Sequence, residues 1–218
     1  MLSQLNKLIA EYLFNEPSLE DLFNPYSTMN PDLDRADAVE IRRANLNRYI
    51  LDRPKNPLVL LLAEAPGPWG CRFSGVPITS EEQLLEPSFP LDGLQASLAE
   101  KPYKEYSASV YWRVLQPFYE HIFTWNTVPF HPHHVGKPLS IRTPRASEIN
   151  RFTSLLEGIV SAMDPTLIIA IGRKAEKALS IIGAEAVYVR HPSQGGATLF
   201  EQGVLHELRE LNLSVSDE

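Results

Sequence analysis

Residues 57–67 read PLVLLLAEAPG, in which the apolar stretch from Leu58 to Ala63 is followed at once by Glu64-Ala65-Pro66-Gly67. An unbroken apolar run bounded by Pro57 and Pro66 predicts a strand covered on both faces, as in a parallel sheet. It is also the longest apolar stretch in the chain, far short of the ~20 residues that span a membrane. Three further segments read as strands: IFTWNTVPF (122–130), TLIIAIG (166–172) and EAVYVRHPS (185–193). Between and before them the spacing predicts helices over 1–15, 34–51, 104–121, 146–163, 173–182 and 196–211. The segment 67–102 reads as a long loop with one helical turn near 80–86. Strands alternating with helices predict a three-layer α/β/α sandwich on a mainly parallel four-stranded sheet, with right-handed crossovers.

The 218 residues fit one domain over 1–218, with a helical part (1–55) packed on it. The single cysteine, Cys71, excludes an intramolecular disulfide and any site held by several thiolates. The apolar N-terminal run contains Glu11 and no small-residue cleavage site, so no signal peptide is read and a cytoplasmic, membrane-free monomer is expected. The formal charge of −7 makes the chain a poor non-specific polyanion binder. Any nucleic-acid surface must therefore be local. Prolines gather at 54–90 and 129–144, which marks long ordered loops as the place for chemistry.

In a parallel α/β sheet, ligands bind beyond the carboxyl ends of the strands. Three of the four strands end in polar segments: Glu64-Ala65-Pro66-Gly67, Trp125-Asn126-Thr127 and Arg190-His191-Pro192-Ser193. The topology would thus bring a carboxylate, an amide and an imidazole around one pocket.

These segments resemble those of the uracil-DNA glycosylase superfamily. Ala63-Glu64-Ala65-Pro66-Gly67 is similar to the first motif of its iron–sulfur branch. Pro66-Gly67-Pro68-Trp69-Gly70 and Ser74-Gly75-Val76-Pro77 are closer to the single-strand-selective monofunctional branch. Segments 126–148 and 165–179 again resemble the iron–sulfur branch, and His191-Pro192-Ser193 is similar to the family's last motif. The resemblance covers about residues 57–211. Two departures stand out: one cysteine cannot hold a four-cysteine cluster, and Ile78 stands where most branches stack a phenylalanine on the base.

The resemblance implies a monofunctional DNA glycosylase, without cofactor or metal, acting on DNA that contains uracil or another deaminated or damaged base. The base is flipped into a pocket and leaves as an anion. His191 is then the donor to the base oxygen, acting as a neutral imidazole, and Asn126 reads the base edge. Glu64 orients water or stabilises the cationic sugar, since Ala65 stands where some branches carry an aspartate. Backbone amides after Pro66 and Gly67 meet the pyrimidine oxygen. Ile78, Trp69 or Phe73 packs on the base face. Ser193, Gln194 and Gly195 contact phosphate and form a weak wedge, which favours single-stranded or distorted DNA.

Singly, each of these residues has an ordinary structural reading, and only their convergence in family order favours chemistry. His131, His133 and His134 read as a loop of exposed histidines walling the pocket, ahead of a zinc site. Arg142, Arg145, Arg173 and Lys174 read as solvated charges with phosphate contact as the alternative. Two other functions remain open: a catalytically weak damaged-DNA-binding protein, and a nucleoside or nucleotide hydrolase.

Overall fold

A computed structural model describes residues 2–53 and 57–213. The chain opens with α1 (Leu2–Ile9), continued by a π-helical turn over Ala10–Phe14. Strand β1 (Leu22–Phe23) and helix α2 (Ala38–Leu51) precede β2 (Val59–Ala63). The long connection after β2 holds the short helices α3 (Cys71–Ser74) and α4 (Glu81–Leu84) before α5 (Tyr106–Leu115). Strands β3 (Ile122–Asn126) and β4 (His131–Pro132) follow, then α6 (Ala146–Arg151) and α7 (Thr153–Met163). The chain closes with β5 (Leu167–Ile171), α8 (Arg173–Ile181), β6 (Val187–Val189) and α9 (Ala197–Glu210).

The main sheet has the order β3-β2-β5-β6 and is parallel throughout. Every residue of β2 and β3 is buried, so both faces are covered and the three-layer α/β/α sandwich is formed. From β2 the chain moves one way, to β3, and then crosses back to β5 and β6. The order therefore reverses between β2 and β5, and a crevice opens at their carboxyl ends. The register sets Ala63 level with Asn126 and Ile171 level with Val189, so the strand-end residues emerge at one rim.

Four departures from the sequence-based expectation have physical causes. The helix expected from residue 34 begins at Ala38, because Asp34 is buried as the shared ion partner of Arg42 and Arg72. The helix expected over 104–121 stops at Leu115, and Pro117, which has no N–H to donate, leaves a 3-10 turn over Gln116–His121. The helix expected over 146–163 breaks at Phe152, whose ring is buried edge-on against Phe130. A small antiparallel pair, Leu22↔Pro132 and Phe23↔His131, was not anticipated and ties the N-terminal part to the segment after β3.

The 67–102 connection is an interior element rather than a surface loop over much of its length. Phe73, Ser74, Val76, Thr79, Ser80 and Glu81 are all fully buried. The Glu81 carboxylate accepts hydrogen bonds from the backbone of Ala96, Ser97 and Tyr103 and from the Ser97 hydroxyl, which satisfies donors that burial would otherwise strand.

Candidate active site

The crevice at the β2/β5 reversal widens into a cavity of about 760 Å³. Its floor is the end of β2 and the turn that follows: Ala63, Glu64, Ala65, Pro66 and Gly67. The turn is fixed from two sides. Thr127 and Val128 donate backbone N–H bonds to the carbonyls of Ala63 and Glu64, at 2.8 and 3.0 Å. His131 sits 2.8 Å from the Pro66 carbonyl through Nδ1 and is fully buried. Burial lowers its pKa to about 4, so the neutral ring has one N–H for two carbonyls, and the shorter contact assigns it to Nδ1 and Pro66, with Nε2 3.2 Å from the Pro138 carbonyl.

His191 faces the same cavity from the loop after β6. Its Nδ1 lies 3.1 Å from the Ser193 backbone N and 2.8 Å from the Ser193 hydroxyl. A backbone N–H can only donate, so Nδ1 must accept. Burial, aided by Arg190, lowers the His191 pKa to about 4. The neutral ring therefore carries its proton on Nε2, as a donor free for a ligand. The sequence-based expectation of a neutral donor imidazole thus acquires a tautomer, set by the residue two positions on.

Glu64 lines the cavity, and burial raises its pKa against the opposing pull of Lys174. Arg173, Lys174 and Arg190 stand along the same lining, in the local cationic rim that an acidic chain would need, with Arg173 paired to Glu176 at 2.7 Å. Arg142 lines it too, but is committed to Glu148 and Asp21. Arg145 is paired with the same two carboxylates and is not among the lining residues. Ser193 and Gln194 line the cavity, and Gln194 and Gly195 are successive left-handed residues (φ 51° and 74°) at the loop tip. Ile78 also lines it, with φ 44°. A β-branched residue in the left-handed region is strained, and its surroundings must hold it there.

Other expected site residues lie elsewhere. Phe73 is fully buried, with its ring between the Arg72 guanidinium and Tyr103. Trp69 packs on Tyr103 and is partly exposed. Neither is among the residues that line the cavity, which leaves Ile78 at the wall. Asn126, expected in the pocket, is buried and is not among its lining residues; it donates from Nδ2 to Cys71 Sγ at 3.6 Å, Cys71 being part of the lining, and its Oδ1 has no partner. Of the three histidines expected to be exposed in the 131–134 loop, His131 and His133 are buried, the first within the β1–β4 pairing and the second just after it with its N–H on the Asp21 carbonyl. His134 reaches the cavity.

The family model described as the Uracil DNA glycosylase superfamily matches residues 52–206, a span that holds all three strand-end motifs. The chain belongs to the uracil DNA glycosylase superfamily. The crystal structure of wild-type Pedobacter heparinus SMUG2 is similar in fold, with a TM-score of 0.68 at 14% sequence identity. The likeness covers 97% of this chain and 99% of that one. A comparison with curated proteins gives no match.

In this uracil DNA glycosylase superfamily member, sequence reasoning missed one carboxyl of the cavity. Glu105, immediately before α5, lies against the backbone of Gly67 and Gly70. A methyl at either glycine would overlap its carboxylate oxygens. No hydrogen bond satisfies that carboxylate among the described residues, and burial lifts its pKa to about 7. The signal was present in the two glycines three apart, since close approach of another group is one reason for glycine in a turn.

Proposed function

We propose that this protein is a DNA glycosylase that hydrolyses the N-glycosidic bond of uracil or another deaminated or damaged base. The observation that carries the reading is the tautomer of His191. A neutral imidazole that keeps its proton on Nε2, on a residue lining a cavity that also holds Glu64, suits a reaction in which the base departs as an anion. The Nε2–H donates to the base oxygen where charge develops, and being preorganised it needs no reorientation at that moment. Glu64, on the turn after β2, is the carboxylate that orients water toward the sugar carbon or offsets its developing positive charge. Ile78 supplies an apolar contact for the base face. Asn126 reads the base edge, reached once the flipped base displaces what covers it. The cationic rim of Arg173, Lys174 and Arg190 supports approach to phosphates.

The test is excision from labelled oligonucleotides carrying one uracil, hypoxanthine, xanthine or hydroxymethyluracil, single- and double-stranded, with alkali to cut abasic sites. Cleavage that disappears in His191→Ala and Glu64→Gln supports the reading. Binding without cleavage of any of these substrates would replace it with a damaged-DNA-binding role.

A further inference from the structure

Asn126 is 3% exposed, and its side chain sits at the head of a line of polar atoms running back into the N-terminal part of the chain. Asn126 Nδ2 is 3.6 Å from Cys71 Sγ, Cys71 Sγ is 3.9 Å from the Tyr26 hydroxyl, and that hydroxyl is 2.8 Å from the Gly75 carbonyl. Tyr26 and Cys71 are buried at 1% exposure each. Each link in such a line has a donor and an acceptor, and its direction is set by whichever end has no choice.

Here that end is Gly75. A carbonyl oxygen can only accept, so the one hydroxyl hydrogen of Tyr26 goes to it. The Tyr26 oxygen is left as an acceptor, which the Cys71 S–H fills. The Cys71 sulfur is then left as an acceptor, which an Asn126 Nδ2–H fills. We infer that Tyr26 and Cys71 are positioning residues that fix the amide of Asn126, so that its Oδ1 remains the free acceptor for a base N–H. This rests on Asn126 being the group that reads the base.

Two further observations agree. Asn126 Oδ1 is buried without a partner, as expected of an acceptor kept for a ligand. Burial raises the pKa of Tyr26, and raises that of Cys71 to about 12, so both keep the hydrogens the line requires. Glu105 adds to the elevation of the thiol, but no hydrogen bond joins it to Cys71 among the described residues. The consequence is selectivity. An amide held with Nδ2 on Cys71 keeps Oδ1 as the acceptor for the imino N–H beside a uracil carbonyl. A flipped amide would present a donor instead, which suits the unprotonated ring nitrogen of cytosine. Tyr26 lies outside the residues that the superfamily model matches, so the part of the chain before residue 52 contributes to reading the base.

The chain's single cysteine makes the inference measurable without catalysis. Raman spectra of the full-length protein contain one S–H stretching band, expected at the lowered frequency of a donating thiol. In Tyr26→Phe it moves to a different frequency, because the acceptor is gone. A band at the free-thiol position in the unmodified protein, or one unmoved in Tyr26→Phe, overturns the inference. Kinetics give the second reading. Cys71→Ala lowers kcat/KM for uracil about tenfold and narrows the preference for uracil over cytosine, the scale of one lost hydrogen bond. Cys71→Ser, which can still accept and donate, recovers most of both. Equal losses in the alanine and serine variants would mean that Cys71 only fills space, and would also overturn it. If the unmodified protein excises no base, the glycosylase reading fails, while the Raman result still decides the direction of the line.

Discussion

The carboxyl of Glu105 rests on the α-carbon of Gly67, so closely that a methyl at 67 would overlap Oε1 and lie 2.8 Å from the carboxyl carbon. The floor of the cavity and the start of α5 are therefore fitted to each other. Gly67→Ala makes the Glu105 carboxylate swing aside, because the overlapping atoms are the free end of a flexible side chain. Excision should fall only modestly with circular dichroism unchanged, while the Glu105 pKa drops back toward 4.5 as its carboxyl leaves the buried place. The double variant Gly67→Ala/Glu105→Ala should be more active than Gly67→Ala alone, since the clash depends on both partners.

The same carboxyl should leave a mark on stability. Its pKa is raised by burial from 4.5 to about 7, so between those values the folded state holds a proton that the unfolded state has released. Stability contributed by the protonated form is complete below about pH 4.5 and lost as pH rises through 7. The cost of the ionised form is up to about 3 kcal/mol. Glu105→Gln should match the parent protein at pH 4.5 and be the more stable of the two at pH 8. Urea denaturation at the two pH values measures this.

Histidine acts in the opposite direction. His131 and His191 both have pKa values lowered from 6.5 to about 4 by burial. Their contribution is present above pH 6.5 and lost as pH falls toward 4, because the unfolded chain binds the protons first. Replacing either with Gln should flatten the loss of stability between pH 6 and 4, read as the slope of melting temperature against pH. For catalysis, His191→Ala should reduce excision by about 10²–10³-fold. Ser193→Ala, which keeps the backbone N–H on Nδ1, should cost less than about tenfold.

How much of this was legible follows from how each residue is held. Glu64 and His191 stand at the ends of apolar runs, so period and punctuation alone place them near one another. Glu105 and Tyr26 are brought in by packing between elements far apart in the chain, and no local spacing announces them. Asp34 reads as a helix opener until its two arginine partners, Arg42 and Arg72, are seen to bury it. The histidines at 131 and 133 read as exposed because the loop is rich in proline. Contacts with distant parts of the chain turn them inward: His131 pairs with Phe23 and meets the Pro66 carbonyl, and the His133 N–H goes to the Asp21 carbonyl.

Asp34 is the test of that buried pairing. It serves two guanidinium groups, and all three side chains are at most 1% exposed. Removing the single acid leaves two cations in the interior, so Asp34→Ala should destabilise the fold by about 3–5 kcal/mol. Calorimetry checks the size. A change below about 1 kcal/mol would mean that water enters and solvates the arginines.

The cations at the cavity mouth have a kinetic consequence. The chain as a whole carries a formal charge of −7, while Lys174 and Arg190 stand on the cavity rim beside Arg173, which is paired with Glu176. A strand whose phosphates meet those cations lies against the cavity mouth. Three cations release few counterions, so log affinity should fall with log salt at a slope near −3 on duplex, far shallower than for a protein that grips many phosphates. With so little non-specific grip, the expected search is by repeated short encounters rather than by sliding.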